Sequence, residues 1–107
     1  MSIEIATDEN IGSLLTTDKL VLLKFGAKWC NPCKLLKPAL ESLSKDLSDT
    51  LVVLDSDIDD NPELSAKYRV MSVPTMILLL NGKELSRKIG NTSRATIETW
   101  INLTMED

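Results

Sequence analysis

The stretch Leu20-Val21-Leu22-Leu23-Lys24-Phe25-Gly26-Ala27-Lys28-Trp29-Cys30-Asn31-Pro32-Cys33-Lys34 decides how this chain is read. Leu20 to Phe25 is a compact apolar run interrupted only by Lys24, the pattern of a buried strand. Beyond it, Asn31 is a residue type that caps helices, and Pro32 is tolerated at a first helical position. Leu35, Leu36, Ala39, Leu40, Leu43 and Leu47 then recur as an apolar face at a period of 3.6. Pro38 falls inside this face and removes one backbone donor, which predicts a kink. Two cysteines therefore lie where a strand becomes a helix.

Outward from this point the pattern alternates. On the N-terminal side, Ile3 to Ala6 reads as a short strand, and Thr7 or Asp8 can cap a helix over Glu9 to Leu15. On the C-terminal side, Leu51 to Leu54 is a second buried strand running on into Asp55. Asn61-Pro62 opens a short helix that ends near Tyr68. Thr75 to Leu80 is a strong strand, and Asn81-Gly82 is a hairpin turn whose two positions need positive φ. Lys83 to Ile89 alternates like an edge strand, and Asn91-Thr92-Ser93 leads into a helix carrying Ile97, Trp100 and Ile101. The order β-α-β-α-β-α-β-β-α predicts an α/β fold with a mixed sheet. Its first three strands can be parallel, its last two form an antiparallel hairpin, and helices cover both faces.

The two cysteines carry the chemistry. Cys30 lands at a helix N-terminus, where free N–H groups and the helix dipole favour an anion and raise the thiolate fraction. Cys33, three residues on, faces the same side, so the pair can close into a disulfide. A Cys30 thiolate can attack a substrate disulfide, and Cys33 can resolve the mixed disulfide. The alternatives for such a pair are two buried apolar side chains or half of a metal site shared across a dimer. Pro32 stiffens the loop between the cysteines.

Composition narrows the rest. With 107 residues and no repeat or linker, the chain is expected to be one domain over residues 1–107. Twelve Lys and Arg against sixteen Asp and Glu leave a net charge of −4, which argues against a nucleic-acid binder. There is no histidine, which removes His-based triads and His metal sites. Two cysteines make neither a disulfide framework nor a four-thiolate zinc site. Met76 to Leu80 is the longest aliphatic run, far short of the roughly 20 residues of a membrane helix. The acidic segment from Met1 to Glu9 lacks a secretory pattern, so a cytoplasmic location is expected, with a monomer as the default state.

These residues together resemble the thioredoxin family over nearly the whole chain. The matching positions are Phe25, Ala27, Trp29-Cys30, Pro32-Cys33-Lys34 and Pro38, then Ile58-Asp59, Asn61-Pro62, Lys67-Tyr68, Val73-Pro74-Thr75, Asn81-Gly82 and Gly90. Few other families combine W-C-x-P-C-K with a later V-P-T at this distance, and the glutaredoxins match less well. The resemblance implies a central five-stranded mixed sheet flanked by four helices. It implies a dithiol reductase of protein disulfides with no bound cofactor beyond the redox-active Cys30–Cys33 disulfide. Its partners would be disulfide-containing proteins and a thioredoxin-reductase-like electron donor. It further implies a cis proline at Pro74 beside the cysteines, with Val73 hydrogen-bonding extended substrate backbone and Trp29 and Gly90 lining the same groove.

The chain departs from the family at informative places. Lys24 stands where a buried Asp is usual, and Asp55 stands where the neighbouring strand usually carries Lys. The two charges are exchanged, and we expect Lys24 and Asp55 to pair behind Cys33. The alternative is a Lys24 that reaches out to solvent beside an Asp55 that merely ends a strand. Gly26 replaces a second Trp, Asn31 replaces the commoner Gly, and Lys28 and Met71-Ser72 change the rim that a reductase would meet. Three functions compete: a cytosolic reductant, an oxidant or isomerase with a higher reduction potential, and a binding subunit that does not use its thiols.

Overall fold

The computed structural model describes residues 3–106. Its elements, in chain order, are β1 (Glu4–Ile5), α1 (Ile11–Leu14), β2 (Leu20–Gly26), α2 (Asn31–Asp46), β3 (Leu51–Asp57), α3 (Pro62–Lys67), β4 (Thr75–Leu80), β5 (Lys83–Ile89) and α4 (Arg94–Met105). The five strands form one sheet in the order β1-β3-β2-β4-β5. β3 runs parallel to both β1 and β2, whereas β4 is antiparallel to β2 and to β5. The expected mixed sheet, with its parallel first three strands and closing hairpin, is the one observed.

Two apolar layers hold the sheet, and β2 supplies both. Its even positions Leu20 and Leu22 pack with Leu36, Leu40 and Leu43 of α2 and with Ile97 and Ile101 of α4. Its odd positions Val21, Leu23 and Phe25 pack with Leu64 of α3 and with Tyr68, and Ile11 and Leu14 of α1 join from the side. Fully burying a side chain of this size is worth about 1.5–3 kcal/mol, so both layers contribute substantially. Asn81 and Gly82 take φ of +53° and +78°, as the hairpin turn requires.

Several local expectations are corrected. The helix expected over Glu9 to Leu15 is only the four-residue α1, and Asp8 does not cap it. Instead Asp8 Oδ1 accepts the Leu64 N–H at 2.8 Å, and the Asp8 N–H reaches Asn61 Oδ1 at 3.0 Å. Asp8 thus caps α3, a distant element, while Thr7 and Asn10 bond each other's backbone N–H at 2.7 and 3.1 Å. Leu35 lies on the exposed side of α2, because the helical face that meets the sheet passes through Leu36. Pro38 does lie inside α2, as the sequence places it, and the helix continues beyond it to Asp46. Trp100 is half-buried against the first layer, with its indole N–H donating to Ser86 Oγ at 2.9 Å.

Candidate active site

The site forms where β2 stops and α2 begins. Past Gly26 the chain turns, with the Cys30 N–H donating to the Ala27 carbonyl at 3.1 Å. The helix cap is Cys30, not Asn31. Cys30 is extended (φ −94°, ψ 107°), and its Sγ accepts the Cys33 N–H at 3.2 Å. A cap needs an extended backbone with an acceptor aimed back at the first turn. Asn31 is already helical, and Pro32 follows at the second position rather than the first. The consequence is chemical: an orphan amide of a 16-residue helix points at the Cys30 sulfur, where negative charge is favoured.

Cys30 and Cys33 are joined as a disulfide, with Cα atoms 5.3 Å apart. Both are buried with Ala27, and Ile58 and Val73 pack against them. Behind the pair lies Lys24, 5% exposed, with Nζ 3.2 Å from Asp55 Oδ1. The two residues are register partners of β2 and β3. The ammonium is therefore turned inward to the carboxylate and not out to solvent. Gly26 lies above it. A Cβ built there would meet Lys24 Nζ at 3.0 Å and Cys33 Sγ at 3.2 Å. Lys24, Gly26, Cys33 and Asp55 border a cavity of about 540 Å³, with the exposed Lys34 and Lys37 on its helix side.

The rim is tied down by hydrogen bonds from the β3–α3 loop. The exposed Trp29 indole (67%) donates to Asp59 Oδ2 at 2.9 Å. Asp57 Oδ1 accepts the Asp59 and Asp60 N–H groups at 2.8 and 3.1 Å, and the Ile58 N–H reaches the Gly26 carbonyl at 2.9 Å. Lys28 pairs with Asp60 at 3.2 Å, and that hydrogen bond raises the Lys28 pKa. The Val73-Pro74 bond is cis. The Thr75 hydroxyl donates to the Ser72 carbonyl at 2.8 Å, across this turn. Gly90 has φ +96°, which demands glycine, and its N–H donates to the Pro74 carbonyl at 2.9 Å. Gly90 is thus fixed beside Pro74, and its amide is used within the protein.

The structure brings Cys30, Cys33, Lys24, Asp55 and Val73 together around the sulfurs. Trp29 and Pro32 flank them in the chain, and Pro74 and Gly90 are joined to each other next to Val73. None of Trp29, Val73, Pro74 or Gly90 borders the cavity on the Lys24 side. Two contributors were not found from sequence. Asp59 anchors Trp29 from thirty residues away, signalled only by the Ile58-Asp59 match. Gly26 matters for the space it leaves, which no spacing rule reveals.

A buried dithiol pair at the head of a helix, closed as a disulfide and backed by a charged pair, defines a thiol–disulfide exchange site. Comparison with known proteins gives the family. The thioredoxin family profile matches residues 2–103. The chain is 42% identical to a thioredoxin of Rickettsia bellii over 89 residues, covering 83% of this chain and 85% of that protein. It is 36% identical to a thioredoxin of Bacillus subtilis over 102 residues, 95% of this chain and 97% of that protein. It is also 35% identical to a bifunctional thioredoxin reductase/thioredoxin of Mycobacterium leprae over 97 residues, 91% of this chain and 21% of that protein. The chain belongs to the thioredoxin family. It is a thiol–disulfide oxidoreductase of the protein disulfide reductase class, and the redox group is its own cysteine pair. Among the described residues no group of three or more Cys, Asp or Glu could hold a metal ion, and no helix is long and apolar enough to cross a membrane.

Proposed function

We propose that this protein works as a reductant of protein disulfides in the cytoplasm, as a monomer of one domain, with Cys30 attacking and Cys33 resolving. The observation that carries the division of labour is the Cys33 N–H bond to Cys30 Sγ at the head of α2. A thiolate on Cys30 is stabilised by that amide and by the helix terminus. Attack forms a bond between Cys30 Sγ and one substrate sulfur and expels the other as a thiolate. Cys33 then loses its proton and bonds to Cys30 Sγ, and the first substrate sulfur leaves. Two electrons pass from the dithiol to the substrate.

Extended substrate backbone lies against Val73 in this reading, with Trp29, Pro32, Pro74 and Gly90 forming the wall. Support comes from Val73 packing on the cysteines and from the exposed apolar side chains of Trp29, Met71 (91%) and Ile89 (64%) in these segments. Lys24 and Asp55 act on the second step, through Cys33. The electron donor is a thioredoxin reductase, a reading supported by the bifunctional relative, in which a reductase and a thioredoxin are combined.

The Cys33→Ser variant, offered a protein disulfide, should accumulate a mixed disulfide through Cys30, seen as a mass adduct. Cys30→Ser should trap none, and equal trapping by both would refute the assignment. A second reading has one observation in its favour. An ammonium beside Cys33 stabilises the reduced, thiolate form, which raises the reduction potential toward that of an oxidant or isomerase. The reduction potential decides between them. A value near or below about −250 mV, the range of cytosolic glutathione, supports the reductant, and one well above it supports the oxidant.

A further inference from the structure

Gly26 has no conformational reason to be glycine. It is the last residue of β2, and its φ is not in the left-handed region that Gly82 and Gly90 occupy. Its reason is spatial. The point where its Cβ would sit is 3.0 Å from Lys24 Nζ, 3.1 Å from Lys24 Cε and 3.2 Å from Cys33 Sγ. The end of the Lys24 side chain and the resolving sulfur thus close in on the same small volume from two sides. A methyl group at residue 26 would press on both, and one of them would have to give by a few tenths of an ångström. The lysine is the one able to move, because the contact is with the end of its long side chain, whereas Cys33 has a short side chain fixed on α2.

We propose that Gly26 is a positioning residue, whose missing side chain lets the Lys24 ammonium lie against Cys33 and so makes Cys33 a readier attacking group in the second step. This rests on the reading of the protein as a thiol–disulfide exchanger in which Cys33 resolves the mixed disulfide. The ammonium, paired with Asp55, acts through its charge, which favours the Cys33 thiolate over the thiol. Other charges border the same cavity. Asp55 and Asp57 come from β3, Lys34 and Lys37 from α2, and Glu9 and the Lys28–Asp60 pair stand at the rim. Asp55 opposes the effect but is bonded to Lys24 itself, and Asp57 already accepts two backbone N–H groups. Lys34 and Lys37 are exposed and act through screened solvent, whereas Lys24 is buried and acts at short range.

The test is the acidity of Cys33 in the fully reduced protein, read from the pH dependence of iodoacetamide alkylation at each cysteine by mass spectrometry. Gly26→Ala should lower the Cys33 thiolate fraction near neutral pH by about tenfold, a rise of about one pKa unit. Lys24→Leu, too short to reach Gly26, should do the same. The double variant should move no further than either single one. The reduction potential should fall with each, by up to about 30 mV for a tenfold change. An unchanged Cys33 in Gly26→Ala, or a full addition of the two effects, overturns the proposal. If Gly26→Ala does not fold, the double variant must fold, since the obstructing ammonium is gone; failure of both also overturns it. The readout uses no substrate. A Cys33 of the expected acidity in a protein that does not reduce disulfides would refute the reductant reading alone.

Discussion

The two faces of β2 begin alike and end differently. Val21, Leu23 and Phe25 stay apolar to the end of the strand, under α1, α3 and Tyr68. Leu20 and Leu22 start the opposite face in the same way, under α2 and α4, but Lys24 and Gly26 finish it. The break falls at the end of the strand from which the chain turns to Cys30 and α2. A fully apolar face gives stability and nothing else. The interrupted face gives up two core positions and obtains a charge and an empty space behind the cysteine pair. On this comparison, substitutions on the Phe25 face should change stability and leave the reduction potential alone. Substitutions on the Lys24 face should move the potential.

The strongest challenge is Phe25→Ala. Removing this fully buried ring should cost about 3–5 kcal/mol in denaturant unfolding. The reduction potential of the folded fraction should not move. A shifted potential would break the distinction between the faces. Next comes Asp55→Asn, which leaves the Lys24 ammonium buried without its carboxylate. It should cost about 2–3 kcal/mol, less than a fully dry pair because Asp55 is partly exposed. Combined with Lys24→Met in a double-mutant cycle, the two should couple by more than about 0.5 kcal/mol, and strict additivity would show that the pair does not act as one.

The rest of the apolar face sharpens the contrast at smaller scale. Asp8→Ala removes the cap of α3 and should cost about 1 kcal/mol, with unchanged thiol chemistry. Smallest is the Glu84–Arg87 pair, whose Arg87 also donates to the Tyr68 carbonyl at 2.9 Å. The Arg87 hydrogen bond holds the Glu84 carboxyl below its usual pKa. Its stabilisation is therefore present above the unfolded carboxyl pKa and is lost as pH falls through the lower folded value. Glu84→Gln should remove under about 1 kcal/mol near neutrality and flatten only the acid limb of a stability–pH curve.

The same contrast separates what the sequence displays from what only packing decides. Periodicity exposes repeated apolar burial, so the strands, the hairpin at Asn81-Gly82 and the buried face of α2 were legible. The pairing of Lys24 with Asp55 was legible through the family resemblance, in which the two charges stand exchanged, and the register of β2 on β3 is what brings them together. What escaped were several roles that only the packed chain decides. Asp8 looks like the cap of the helix that follows it, yet it is bonded to Leu64, 56 residues on. Asn31 is the better capping residue by type, but Cys30 has the extended backbone that a cap needs. Leu35 and Leu36 are equally apolar, and only the docking angle of α2 decides which is covered. Gly26 was visible as a missing Trp, and its use as a seat for the neighbouring ammonium was not.

The register pairing of Lys24 with Asp55 also has a hereditary consequence. Relatives with the usual arrangement carry the same two charges the other way round. Changing Lys24 alone to the acid would place two carboxylates side by side in a buried position, and changing Asp55 alone to lysine would place two ammonium groups there. Either single step should be penalised, and a larger residue at position 26 would press on the end of the present lysine. A lineage with this arrangement should therefore leave it only by changing the positions together. Residues 24, 26 and 55, though separated along the chain, should be gained or lost together as a single heritable character.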